Sequence, residues 1–173
     1  VSKVKAESPD AIYASGYFFT AGPLVSQLRE AGVDVPVIGQ EGYDGEMFIK
    51  IAGAASEGVV ITTSLDRDST DPLAQAFIKG FQAKAGYPAD MVSASTHTAV
   101  LVLAEAMRQV DPSDKAALRG AIASTSINAA TGNISFNKLG EVKKSVQVQV
   151  VRDGGWHHYA VISDPILLAP PEE

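Results

Sequence analysis

The chain has 173 residues, 46% of them hydrophobic, which allows a packed core and excludes a disordered polymer. Its 20 acidic residues outnumber 14 basic ones, and a net charge of −6 argues against a phosphate-tracking surface and so against nucleic acid as partner. The absence of cysteine removes disulfides, thiolate metal sites and cysteine nucleophiles, and no apolar run reaches the roughly 18–20 residues that span a bilayer.

The chain opens on Val1-Ser2-Lys3-Val4-Lys5-Ala6-Glu7 with no initiator Met and no signal segment, and is expected to be part of a longer polypeptide. The Val1/Val4 spacing predicts the tail of an amphipathic helix that Pro9 closes. Ala11-Ile12-Tyr13-Ala14 predicts a buried strand, and residues 15–20 a loop. Pro23 then predicts the first turn of a helix, where its missing N–H costs no hydrogen bond. Leu24, Val25, Leu28 and Ala31 give that helix an apolar face, and Gly32 ends it. Pro36-Val37-Ile38 predicts a second strand, followed by a loop over residues 39–45, a short helix from Glu46 to Ala52 and a third strand from Val59 to Thr63. Alternation of strand and helix is the pattern of a parallel sheet covered by helices.

Asp71-Pro72 predicts an N-cap and first helical position, with Ala74, Phe77, Ile78, Phe81 and Ala85 forming one apolar stripe up to Gly86. Two more helices are predicted, from about Met91 to Val110 and from Ser113 to Ala123, broken at Asp111-Pro112-Ser113. Val146, Val148 and Val150 alternate with Gln147 and Gln149, which predicts a half-buried strand. Asp153-Gly154-Gly155 is a hairpin turn, and Trp156 to Ile162 is its return strand. The tail after Pro165, ending in Pro170-Pro171-Glu172-Glu173, is expected to fray.

Signatures of catalysis are missing: there is no phosphate loop with its lysine, no nucleophile elbow and no two-histidine zinc helix. Glycines 39, 42 and 45 space as GxxGxxG rather than as a dinucleotide fingerprint. His157 and His158 are neighbours on a strand, so they point to opposite faces and read as edge-strand polar residues rather than ligands of one metal. His97 reads as a packed or partly exposed helix residue. Asp66, Asp68 and Asp71 read as a solvated loop and an N-cap, because they lack the glycine and terminal glutamate of a calcium loop. No catalytic residue, metal or cofactor is expected.

One constellation does point to a ligand. In a parallel sheet, ligands collect beyond the carboxyl ends of the strands. Tyr17 and Phe18 follow the first strand, and Glu41 and Gly42 follow the second. Adjacent strands lie about 4.8 Å apart, so both loops can reach one small molecule. An aromatic wall beside a carboxylate suits a small cation with an apolar body, and glycine permits close backbone approach. The residues leave a second reading open, in which Glu41 is an acid serving the amino terminus of the helix at Glu46.

At these same residues the sequence resembles a known family. Asp10-Ala11-Ile12-Tyr13 with Ser15-Gly16-Tyr17-Phe18, the run from Gly22 to Gly32, Pro36-Val37-Ile38-Gly39, Glu41-Gly42 and the run from Ile51 to Val59 are similar to segments of the branched-chain amino-acid binding proteins of bacterial ABC transporters. So are Asn133-Ile134-Ser135-Phe136-Asn137 with Gly140-Glu141, and Val148-Gln149-Val150 before Asp153-Gly154-Gly155-Trp156. The resemblance implies an α/β fold made of parts of two Rossmann-like lobes of a type I periplasmic binding protein, with parallel sheets flanked by helices and a carboxy-terminal β-hairpin. It places residues 1–64, an α/β segment, and the hairpin at 146–162 in the second lobe, residues 65–145 in the first as a helical segment, and 163–173 in a tail. Family members are about twice this length, so the chain resembles their carboxy-terminal half.

By the same resemblance Tyr17 matches the aromatic ligand residue, Glu41 the acid that takes the ligand's ammonium, and Gly42 the residue after it, while contacts to the ligand carboxylate come from outside this chain. The stretch from Val92 to Thr98 departs from the family, with His97 where tyrosine is usual. The implied function is capture of a branched-chain or other small amino acid by lobe closure, in the periplasm or outside the cell, for delivery to an ABC permease. The alternative is an amide- or amino-acid-responsive sensor of the same fold. An enzyme using Glu41 as general base would need a histidine or serine beside it, and neither loop supplies one. Exposed strand edges predict self-association, as a dimer or by domain swapping.

Overall fold

A computed structural model describes residues 1–169, and the last part of the tail expected to fray, residues 170–173, lies outside them. The chain divides into two units, one formed by residues 1–68 and 147–160, the other by Ser69 to Val146 and the chain from Val161 on.

The first unit is built on the predicted alternation. Its elements are α1 (Ser2–Glu7), β1 (Ile12–Tyr13), α2 (Phe18–Glu30), β2 (Val37–Gly39), a 3-10 turn (Glu41–Tyr43), α3 (Glu46–Ala52) and β3 (Val60–Thr63). β1, β2 and β3 pair in parallel, with Ile12 opposite Val37 and Ile38 opposite Val60. Later in the chain come β4 (Ile127–Ala129), β5 (Gly132–Phe136), β6 (Val142–Lys143), β7 (Val146–Arg152) and β8 (Gly155–Ile162). β7 adds antiparallel to β3 and the hairpin continues to β8, giving the order β1-β2-β3-β7-β8. Asp153 and Gly154, at φ 50° and 73°, make the primed turn whose twist matches its strands.

Val25, Leu28, Val37, Tyr43, Phe48, Val59, Ile61, Val151 and Trp156 form the core of this unit. Tyr43 stacks on Phe48 at 5.0 Å and Phe48 on Trp156 at 5.7 Å, while the Trp156 indole donates to the Gly45 carbonyl. α2 meets α3 at Gly22, where a Cβ would lie 2.5 Å from Ile51 Cγ2. Val1 and Val4 of α1 pack on the same core.

Three expectations change. β1 is not a buried strand: it lies at the edge of the sheet, with Ile12 half-buried and Tyr13 exposed. α2 begins at Phe18, not near Pro23, because Thr20 Oγ1 caps it, accepting from the Tyr17 N–H and donating to the Tyr17 carbonyl. Pro23 thus sits inside the helix, where it removes one helical hydrogen bond. β7 is not half-buried: Gln149 is as buried as its valine neighbours, since β7 lies between β3 and β8 and its amide finds partners inside.

In the second unit α4 (Pro72–Ala85) is capped by Asp71 and stopped by Gly86, and α5 (Met91–Gln109) is capped by Asp90 with Ser93. α6 (Lys115–Ser124) starts at the Asp114 cap. The unit is not helical alone: β4, β5 and β6 form an antiparallel sheet whose Ala129 and Ile134 are buried. Thr98 of α5 meets Thr131 of the β4–β5 turn at 3.0 Å. None of the helices among the described residues is long and apolar enough to cross a membrane.

Candidate functional site

β1 and β2 end at the same edge, and the two loops that leave them are pinned together. The Gln40 side chain donates to the Gly16 carbonyl at 3.1 Å, and the Tyr43 hydroxyl donates to the Ala14 carbonyl at 2.7 Å. Gly42 lies against this first loop so closely that a Cβ on it would overlap the Gly16 carbonyl oxygen and stand 3.2 Å from Tyr17 Cδ1. Tyr17, Glu41 and Gly42 are therefore neighbours on one edge of one unit. Burial raises the Tyr43 phenol above its ordinary pKa, with Tyr13 adding to the effect, so this anchor stays protonated.

The aromatic residues divide between surface and core. Tyr17 is 61% exposed and stacks on Phe19, 59% exposed, with ring centres 5.8 Å apart and planes 4° from parallel. Phe18 is half-buried, packs on the core and meets Phe19 edge-on. The exposed aromatic wall is thus Tyr17 with Phe19. Sequence reasoning missed Phe19 because it read a loop here; the signal was Thr20, three residues after Tyr17.

Glu41 is exposed at the start of the 3-10 turn. Its carboxylate has no hydrogen-bond or ion-pair partner among the described residues. α3 has a first-turn acid of its own in Glu46, which also pairs with Lys50 at 2.9 Å, so Glu41 is not needed for that role. An exposed, unpaired carboxylate beside a stacked aromatic pair is equipped to take an ammonium group.

From Asp44, next to this turn, runs a polar network that the sequence did not disclose, buried at Asp44 and Gln149 and open to solvent at its histidines. The Asp44 carboxylate accepts from Thr63 Oγ1 at 2.6 Å and from both terminal nitrogens of Arg67. Arg67 also donates to Gln149 Oε1 at 3.4 Å, Gln149 donates to Asp66 at 2.9 Å, and Asp66 meets His158 Nδ1 at 2.8 Å. Asp68 accepts from the His158 N–H and meets His157 Nδ1 at 3.1 Å. β8 is an edge strand, as the reading of the histidines required, but both rings are held by carboxylates, so Asp66 and Asp68 are more than a solvated loop. Among the described residues no group of three or more His, Asp or Glu could hold a metal ion.

The family model described as periplasmic binding protein matches residues 1–155. The chain belongs to the periplasmic binding protein family. The leucine-, isoleucine-, valine-, threonine- and alanine-binding protein of Pseudomonas aeruginosa is 30% identical to this periplasmic binding protein chain over 143 residues, covering 83% of it and 38% of the relative. The Leu/Ile/Val-binding protein of Escherichia coli is 26% identical with the same coverage. A solved leucine-binding protein from Thermotoga maritima superposes with a TM-score of 0.88 at 29% identity, covering 95% of this chain and 48% of that one. A Streptococcus pneumoniae branched-chain amino-acid transporter substrate-binding protein, solved with isoleucine, shares the fold at a TM-score of 0.81 and 24% identity, covering 93% and 46%. The chain thus spans from about two-fifths to half the length of these relatives. The likeness establishes the type I periplasmic binding protein fold.

Proposed function

We propose that the chain supplies one wall of an amino-acid site in a solute-binding protein of a bacterial ABC transporter. Glu41 takes the ligand's ammonium, Tyr17 and Phe19 face its apolar body, and Gly42 keeps the Glu41 turn against the Tyr17 loop. Phe18 holds that loop to the core. The observation that carries this reading is the approach of Gly42 to Gly16 and Tyr17, with an unpaired Glu41 beside it. A charge-assisted hydrogen bond of this kind contributes roughly 1.5–3 kcal/mol. The names of the relatives favour a branched-chain or small neutral amino acid.

In the complete protein the ligand is held by closure of two lobes, outside the cytoplasm, and handed to a membrane permease. Solute capture, with no covalent step, is the activity proposed. The unit of residues 1–68 and 147–160 is assigned to one lobe and the unit that runs from Ser69 to Val146 to the other. Self-association of the isolated chain is part of the reading, supported by β1 and β8 as sheet edges; light scattering tests it, with a monomer as the contrary result. The function is tested by thermal shift of the complete protein against an amino-acid panel. Leucine, isoleucine or valine should raise the melting temperature, and a panel with no effect would contradict the proposal.

A further inference from the structure

We propose that Arg67 is a positioning residue for the amino-acid site, acting through Asp44 on the turn that carries Glu41; the inference rests on the role given to Glu41 above. The Asp44 carboxylate is 1% exposed, and a charge removed from water needs a partner with good geometry. Arg67 supplies it, using two guanidinium nitrogens on two carboxylate oxygens. Asp44 directly follows the Glu41–Tyr43 turn, and its N–H closes that turn on the Glu41 carbonyl at 3.0 Å. Whatever holds Asp44 holds Glu41.

Arg67 also donates to Gln149 of β7, and the Gln149 amide in turn donates to Asp66, which meets His158 of β8. These residues have a shared location along the chain. Arg67 precedes by one residue the point after Asp68 where the chain leaves the first unit, Gln149 follows by two the return at Gln147, and His158 precedes by two the last residue before the second departure, Ala160. The guanidinium therefore joins the turn bearing Glu41 to Gln149, and a chain of hydrogen bonds runs on from Gln149 through Asp66 to His158, each near a point where the chain leaves or re-enters the first unit. Lysine, a single point charge, cannot span both carboxylate oxygens and the Gln149 amide in this way.

The test uses the complete protein with Arg67→Met, Arg67→Lys and Asp44→Asn, read in two ways. Amide hydrogen exchange at Tyr43 and Asp44 reports on the turn, with the Val151 amide, bonded to the Val59 carbonyl, as internal control. Calorimetry with L-leucine in the Glu41 and Glu41→Gln backgrounds reports on binding. Arg67→Met should speed exchange in the turn by about tenfold relative to Val151. It should weaken leucine by about tenfold with Glu41 present and by less than about twofold in Glu41→Gln, since residues acting through one another are not additive. Arg67→Lys should fall between, and it carries the test if Arg67→Met does not fold. Unchanged exchange in the turn, or equal losses of affinity in both backgrounds, overturns the proposal and leaves Glu41 in place. Wild-type leucine affinity in Glu41→Gln removes Glu41 from the site, and this role of Arg67 with it.

Discussion

Gly42 stands so near Gly16 that a side chain at 42 would overlap the Gly16 carbonyl oxygen, and the ring of Tyr17 closes the remaining space 3.2 Å away. The obstructing atom belongs to the backbone, so it cannot rotate aside as a flexible side chain would. Gly42→Ala must push the Glu41 turn away from the Tyr17 loop. Overpacking of this kind costs about 1–3 kcal/mol, and leucine affinity should drop at least about tenfold because the two halves of the site separate. Denaturation and calorimetry on the same variant check both effects; unchanged values for both would mean the loops are not in this contact.

Tyr43 anchors the same turn from beneath. Its hydroxyl donates to the Ala14 carbonyl, and its ring is wholly buried against Phe48 and Gly39. Tyr43→Phe keeps the ring and leaves the Ala14 oxygen without this donor, a loss of about 0.5–1.5 kcal/mol. Urea denaturation should show the midpoint falling with no change in slope.

Asp68 gives unit stability a dependence on acidity. Burial works against its charge, but the His158 backbone N–H, the His157 ring and the charges of both imidazoles outweigh burial and hold the carboxyl below its ordinary range. A carboxyl with a lowered native pKa contributes stability that is present above the unfolded value of about 3.9 and is lost as pH falls through the lower native value. Asp68→Asn should therefore be less stable than wild type at pH 6, with the difference shrinking as pH falls below the unfolded value of about 3.9. A difference that stays constant over that range would show that the carboxylate's charge plays no part.

In the second unit, α4 offers two changes of opposite sign. Asp71 accepts from the Leu73 and Ala74 N–H groups at 2.8 and 3.1 Å, so Asp71→Ala should cost about 1 kcal/mol. Gly80 lies within α4 with open space where a Cβ would be, so Gly80→Ala should stabilise by about 0.5–1 kcal/mol. Thermal melts of the two variants should move in opposite directions.

The parallel layer and the edge that carries the Tyr17 and Glu41 loops were legible in the sequence because both follow from local signals: apolar runs, helix stops and loops placed after strands. Pro23 misled the reading of α2 because proline favours a first turn, whereas here a threonine three residues after Tyr17 sets the start. Gln149 looked solvent-facing because period-2 alternation with valine is what a half-exposed strand shows. Its amide is satisfied by Arg67 and Asp66, 82 and 83 positions away, and no local pattern announces partners at that distance. The same holds for Asp44, whose partners include Thr63 and Arg67, which reach it only when β3 takes its place beside β2. The strands β4 to β6 were missed as a sheet because each is five residues or shorter and lies between helical signals and the longer β7.

The claim that this edge receives an amino acid through its ammonium group is tested most directly by isothermal calorimetry of L-leucine against the complete protein and its Glu41→Gln variant. Glutamine keeps the size of the side chain and removes the charge, so the account predicts an affinity lower by about ten- to a hundredfold, roughly 1.4–2.8 kcal/mol. Equal affinity for the two proteins would contradict it.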